Sequence, residues 1–167
     1  MPDLQEELRA RLAGRTAIVG IGNTDRGDDA LGVRLAEALG GAGCPDVTIA
    51  GPVPENFVGK LAQGGFDSVL FVDAVEMGAG PGSVALLGAA EIRNRFPQVS
   101  THKYSLGTLA QVIEKESGAR VWLLGVQPAS LVFGTELSEP VRTTTALLKD
   151  LLVDVLNGKG KLTSCCR

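Results

Sequence analysis

AIVGIGNTDRGDDALGVRLAEAL, residues 17–39, decides the fold. An apolar run of strand length meets a turn holding Gly20 and Gly22. An amphipathic segment follows from Asp28 to about Leu39 and closes on Gly40, Gly41 and Gly43. A strand that passes through a glycine turn into a helix is the building unit of parallel α/β sheets. The turn has the outline of a phosphate cradle but carries the wrong charges. Asp25, Asp28 and Asp29 would face the anion and offset the attraction of the helix N-terminus. The spacing also fails as a dinucleotide fingerprint, because Asp25 stands where a third glycine belongs after Gly20 and Gly22. Asp28 is placed to cap the helix. Asp29 is then left to face the concavity of the turn, either as a surface carboxylate steadied by the helix dipole or as a ligand.

Outward from this unit, Leu4, Leu8 and Leu12 predict an amphipathic helix over 3–13, and TAIVGI (16–21) is the first strand. DVTIA (46–50) reads as a second strand. PENFVGKLAQGG (54–65) reads as a short helix opened by Pro54 and ended by glycines. SVLFVDAV (68–75) is apolar enough to be buried on both faces and ends at Asp73. After the turn cluster MGAGPG, SVALL (83–87) reads as a hairpin-like partner. A brief helix at 89–95, a loop around FPQVSTHKYS, a helix at 105–116, the strand ARVWLLGV (119–126) and a final helix at 138–156 complete the order. The alternation predicts a single three-layer α/β domain over 1–157, followed by a flexible tail at 158–167. Its centre is a twisted, mainly parallel five-stranded sheet with helices on both faces.

Composition narrows the classes. Hydrophobic residues make up 44% against 21% charged, a balance that builds a core rather than a disordered chain. The net charge of −3, with no basic cluster interleaved with aromatics, excludes nucleic acid as partner. No apolar run reaches the roughly 18 residues of a membrane span, and no signal-peptide core opens the chain, so a cytoplasmic protein is expected. Cys44, Cys165 and Cys166 form no disulfide framework.

In parallel sheets ligands bind at the carboxyl ends of the strands, where strand order reverses. Three candidates reach that edge: Asp29, Asp73 and the single histidine, His102. Asp73, at the tip of an apolar strand, is costly to hold unless paired, hydrogen-bonded or metal-bound; it could also cap the turn that follows. His102 could be an ordinary loop residue, yet any imidazole chemistry must use it. Two carboxylates and one imidazole on one rim suit a borderline divalent ion such as zinc or nickel, with positions open to water or substrate. A serine nucleophile lacks its G-x-S-x-G elbow, and Cys44 sits in a turn without signs of activation.

Five segments in this order resemble the [NiFe]-hydrogenase maturation endopeptidases, and within them the HycI-type branch. They are GIGNTDRGDDALG, GPVPENF, LFVDAVEMGAGPGSV, STHKYSLGTL and WLLGVQPASLVFG, together spanning nearly the whole chain after the N-terminal helix. Ala30 replaces the branch's usual glycine, and Asp25 and Arg26 stand where members often carry apolar residues. The resemblance implies an endopeptidase of nickel-dependent, aspartic type that acts as a monomer. It implies removal of a C-terminal extension from a [NiFe]-hydrogenase large-subunit precursor after nickel insertion. Asp29, Asp73 and His102 would be both the catalytic set and the ligands of a nickel carried by the substrate, not held at rest. The alternative it leaves is a non-catalytic, nickel-recognising chaperone of the same subunit.

Overall fold

The computed structural model describes residues 3–95 and 105–162, with side chains for 3–94 and 105–158. His102, Cys165 and Cys166 lie outside the described residues. In chain order the elements are α1 (Leu4–Arg11), β1 (Thr16–Ile21), α2 (Leu31–Gly41), β2 (Val47–Gly51), α3 (Val58–Gln63), β3 (Ser68–Ala74), β4 (Val84–Gly88), α4 (Ala89–Arg95), α5 (Leu106–Ser117), β5 (Arg120–Val126) and α6 (Glu139–Leu162). Short 3-10 turns at Gly27–Ala30 and Pro54–Phe57 lead into α2 and α3.

The five strands stand in the order β2-β1-β3-β5-β4. Four are parallel, and β4 runs antiparallel to β5. Two expectations need correction. The 83–87 strand is antiparallel, but its partner is β5, which arrives later in the chain and inserts between β3 and β4. Burial explains the exchange. From Leu123 to Val126 β5 is wholly buried, as an inner strand must be, whereas β4 is mostly half-buried and suits an edge. The last helix also runs to Leu162, past both the expected end at 156 and the expected start of the tail at 158.

The apolar strands serve two cores because alternate side chains leave opposite faces. Ala17, Val19 and Ile21, with Val69, Phe71, Val121 and Leu123, meet Leu61 of α3, Ile92 of α4 and Leu109 and Ile113 of α5. Ile18, Leu70, Val72, Leu124 and Val126 meet Leu8 of α1, Leu31, Leu35 and Leu39 of α2, and Leu148 and Leu152 of α6. Each such leucine removed from water contributes about 1.5–3 kcal/mol, so aliphatic burial on both faces of the sheet is a main source of the layers' stability.

α2 lies unusually close to the sheet. A Cβ on Gly32 would run into the carbonyl oxygens of Ile21 and Val72, and one on Gly20 would run into the carbonyl of Gly32. The first turn of α2 is therefore pressed onto the carboxyl ends of β1 and β3. From β1 the chain goes first to β2 on one side and then to β3 on the other. That reversal opens a crevice between the ends of β1 and β3. No helix among the described residues is long and apolar enough to cross a membrane.

Candidate active site

The loop after β1 is built around Asp29. Gly22 has φ 140°, and a Cβ there would collide with the carbonyl oxygen of Asp29, so only glycine lets the two segments touch. The Gly22 amide donates to the Gly51 carbonyl at 2.9 Å, tying the loop to the end of β2. The Asn23 amide donates to Oδ2 of Asp29 at 2.8 Å, and the Asp29 amide donates to the Arg26 carbonyl at 3.0 Å. The loop's own carboxylate thus occupies an amide that a phosphate would need. Asp29 is half-buried, and its Oδ1 takes no hydrogen bond among the described residues.

Asp73 stands at the end of β3, only 6% exposed, and its Oδ1 accepts from the Ala74 amide at 2.9 Å. β1 and β3 are neighbouring parallel strands, so Asp29 and Asp73 share one edge and flank the crevice where strand order reverses. Among the described residues no three His, Cys, Asp or Glu side chains are grouped to hold a metal ion, and the third expected ligand, His102, lies outside them.

Asp28 is not the helix cap. It sits inside the 3-10 turn, 1% exposed, and α2 begins at Leu31 with no side-chain cap. Its carboxylate reaches across to the loop after β5. Oδ2 accepts from the amides of Ala129 (2.8 Å) and Ser130 (3.2 Å) and from the Ser138 hydroxyl (2.8 Å), and Oδ1 accepts from the Ser138 amide (2.7 Å). Burial pushes its pKa up, but the bonds from Ser138, Ala129 and Ser130 outweigh burial and hold it below the ordinary carboxylate range.

Gln127, 4% exposed just past β5, was missed by sequence reasoning. Its Oε1 accepts from the amides of Met77 (2.6 Å) and Ala79 (3.3 Å), and its Nε2 donates to Glu76 at 2.8 Å. It therefore fixes the segment that leaves Asp73. The signals available were its place in the WLLGVQPASLVFG segment of the family resemblance and an amide side chain between a buried strand and Pro128, the kind of buried polar group that must find partners.

The hydrogenase maturation protease family matches residues 33–155, most of the chain and all of the sheet after β1. The chain belongs to the hydrogenase maturation protease family. A hydrogenase 3 maturation protease of Escherichia coli K12 is 31% identical over 124 residues, covering 73% of this chain and 78% of that one. A putative hydrogenase maturation protease of Methanocaldococcus jannaschii is 28% identical over 152 residues, 85% and 88% of the two chains. The crystal structure of a [NiFe] hydrogenase maturation protease from Thermococcus kodakarensis superposes with a TM-score of 0.80 at 34% identity, over 90% of this chain and 99% of that one. The α/β architecture is thus that of other maturation proteases, and the family is one of peptidases.

Proposed function

We propose that this maturation protease removes a C-terminal extension from a [NiFe]-hydrogenase large-subunit precursor after nickel has been inserted. Asp29, Asp73 and His102 act on the nickel that the substrate presents. The observation that supports this reading is that Asp73 ends β3 while Asp29 sits in the turn that follows the adjacent parallel strand β1, braced by its own loop. Carboxylate and imidazole donors complete the coordination of a nickel held by the substrate, adding binding energy only when the metal has arrived. A precursor without nickel loses that contact and meets carboxylates lacking their cation, so the metal acts as a checkpoint.

Hydrolysis adds water across the scissile amide. The water oxygen bonds to the carbonyl carbon, the C–N bond breaks, and the departing amine takes a proton. A carboxylate or the imidazole of this set accepts the proton from the water on its way. The enzyme acts as a cytoplasmic monomer on a substrate that brings its own metal.

Incubation with a purified, nickel-loaded large-subunit precursor, followed by intact-mass measurement, tests the reading. A shortened C-terminus is expected with the nickel-loaded form and not with the nickel-free form. A stable complex of unchanged mass would favour a non-catalytic chaperone instead. His102→Ala is expected to stop nickel-dependent shortening with an unchanged urea midpoint; full activity in that variant would remove His102 from the site.

A further inference from the structure

Six large apolar side chains are exposed among the described residues, and three of them are consecutive: Leu131, Val132 and Phe133. Val132 is 74% exposed and Phe133 86%, the two highest values of the six. The loop that carries them is tightly held. Asp28 receives four hydrogen bonds from Ala129, Ser130 and Ser138. The Gly27 amide donates to the Gly134 carbonyl at 2.7 Å, the Gly134 amide to the Asp25 carbonyl at 2.8 Å, and the Asp28 amide to the Ser130 carbonyl at 3.1 Å. A buried carboxylate and three backbone bonds therefore hold an apolar tip in open water. Fixed apolar patches of this kind mark interaction surfaces. Presenting them already ordered removes an entropic cost that a partner would otherwise meet.

We propose that the 131–133 tip is the docking surface for an apolar segment of the polypeptide substrate, flanked by basic side chains. This rests on the reading of the chain as a precursor-processing protease. Two observations select the substrate as occupant. The first is continuity: the loop is bonded directly to the turn that carries Asp29, so the tip is fixed to the same turn that a chain delivered to Asp29 would meet. The second is charge. Asp25, Glu136 and Glu139 are exposed in this loop and its anchoring turn against Arg26 and Arg142, the latter donating to the Leu137 carbonyl, so the excess of acid favours a segment with basic flanks. Between the tip and the pinned turn lies a concavity of about 420 Å3, lined by Asp28, Ser130, Val132, Phe133, Glu136 and Ser138. It receives an apolar side chain of the incoming segment.

The Val132→Ser/Phe133→Ser double variant tests the assignment, with the purified nickel-loaded precursor as probe. KM for shortening should rise about tenfold or more, with kcat within about twofold and the urea midpoint unchanged, as expected when exposed anchors of an interface are removed. An unchanged KM overturns the proposal. So does a wild-type dimer that becomes monomeric in the variant while KM stays the same, since the tip would then join copies of this chain. If the wild-type protein does not shorten the precursor at all, the reading as a protease fails, and calorimetric binding of the same precursor still decides the docking surface. Weaker binding by the variant supports it, and equal binding sinks it.

Discussion

The two ends of the same parallel strands handle charge in opposite ways. At the amino end, Arg15 lies against Asp46 with Nε at 3.0 Å from Oδ2 and Nη2 at 2.8 Å from Oδ1. It also donates to the Gly64 carbonyl at 2.7 Å and stacks over Phe66 at 4.5 Å. The Arg15 amide donates to Asp67 at 2.8 Å, so each acid at this end has a donor from within the chain. The Arg15 hydrogen bond holds Asp46 below the ordinary carboxylate range. At the carboxyl end, Asp28 is also held low, but by amides and a hydroxyl. Asp25, Asp28 and Asp29 make no ion pair with the described residues. One end cancels its charge internally and serves stability. The other sets Asp25, Asp28 and Asp29 against Arg26 in one turn, an excess of negative charge that favours a positively charged arrival.

The sharpest way to break this contrast is to make the same isosteric change at both ends. Asp29→Asn and Asp73→Asn should each lower kcat/KM for nickel-loaded precursor by about a hundredfold or more, the scale expected when a group that handles the proton or the metal is lost. Asp46→Asn should leave processing unchanged. Steady-state kinetics on the three variants, alongside urea unfolding to confirm folding, checks this. Equal activity of the Asp29 and wild-type enzymes would end the claim that the carboxyl edge is the working one.

Asp28→Asn should produce the largest stability loss of these changes. An amide nitrogen would replace one acceptor oxygen and face donors from Ser138, Ala129 or Ser130, costing about 3 kcal/mol at an unchanged m-value. Its pH dependence has a definite sign. The folded pKa of Asp28 lies below the ordinary 3.8, so its contribution is fully present above 3.8 and is lost as pH falls through the lower folded value. The gap between wild-type and variant urea midpoints should therefore be constant above 3.8 and shrink as pH falls from 3.8 to the lower folded value. A gap independent of pH down to the acid limit would show that the carboxylate's charge is not what the loops bind.

Much of the fold was legible because buried parallel strands write themselves as unbroken apolar runs. TAIVGI, SVLFVDAV and ARVWLLGV each stand within a residue or two of a strand. The pairing of β4 was not legible. Alternation and a glycine turn suggest a hairpin, but which strand receives β4 depends on β5, which lies more than thirty residues downstream and must bury both faces. At the site, the acidic turn was readable as one that rejects phosphate. The division of labour between its neighbouring acids was only half readable. Sequence alone makes Asp28 a local cap, since the partners that claim it lie some hundred residues away. Long-range hydrogen bonds of this kind leave no periodicity to detect, and the same holds for Gln127 and the segment at 77–79.

The smallest effect is expected at the opposite edge, and it tests the contrast from the other side. Arg15→Met keeps an unbranched stem to lie on Phe66 while removing the fork that meets Asp46 and Gly64. Arg15 is exposed and Asp46 half-buried, so the pair's contribution is reduced by screening, and the urea midpoint should fall by less than in Asp28→Asn. Two dependences identify the cause. The difference from wild type should shrink with added salt, because exposed charges are screened within about 10 Å at 0.1 M. It should also shrink in acid as Asp46 takes up its proton below the ordinary carboxylate range, while the raised Arg15 pKa keeps the cation present at every working pH. Processing kinetics should match wild type across that range. A loss of activity without a loss of stability in Arg15→Met would mean that the two ends of the sheet communicate, and the division between a structural edge and a working edge would have to be redrawn.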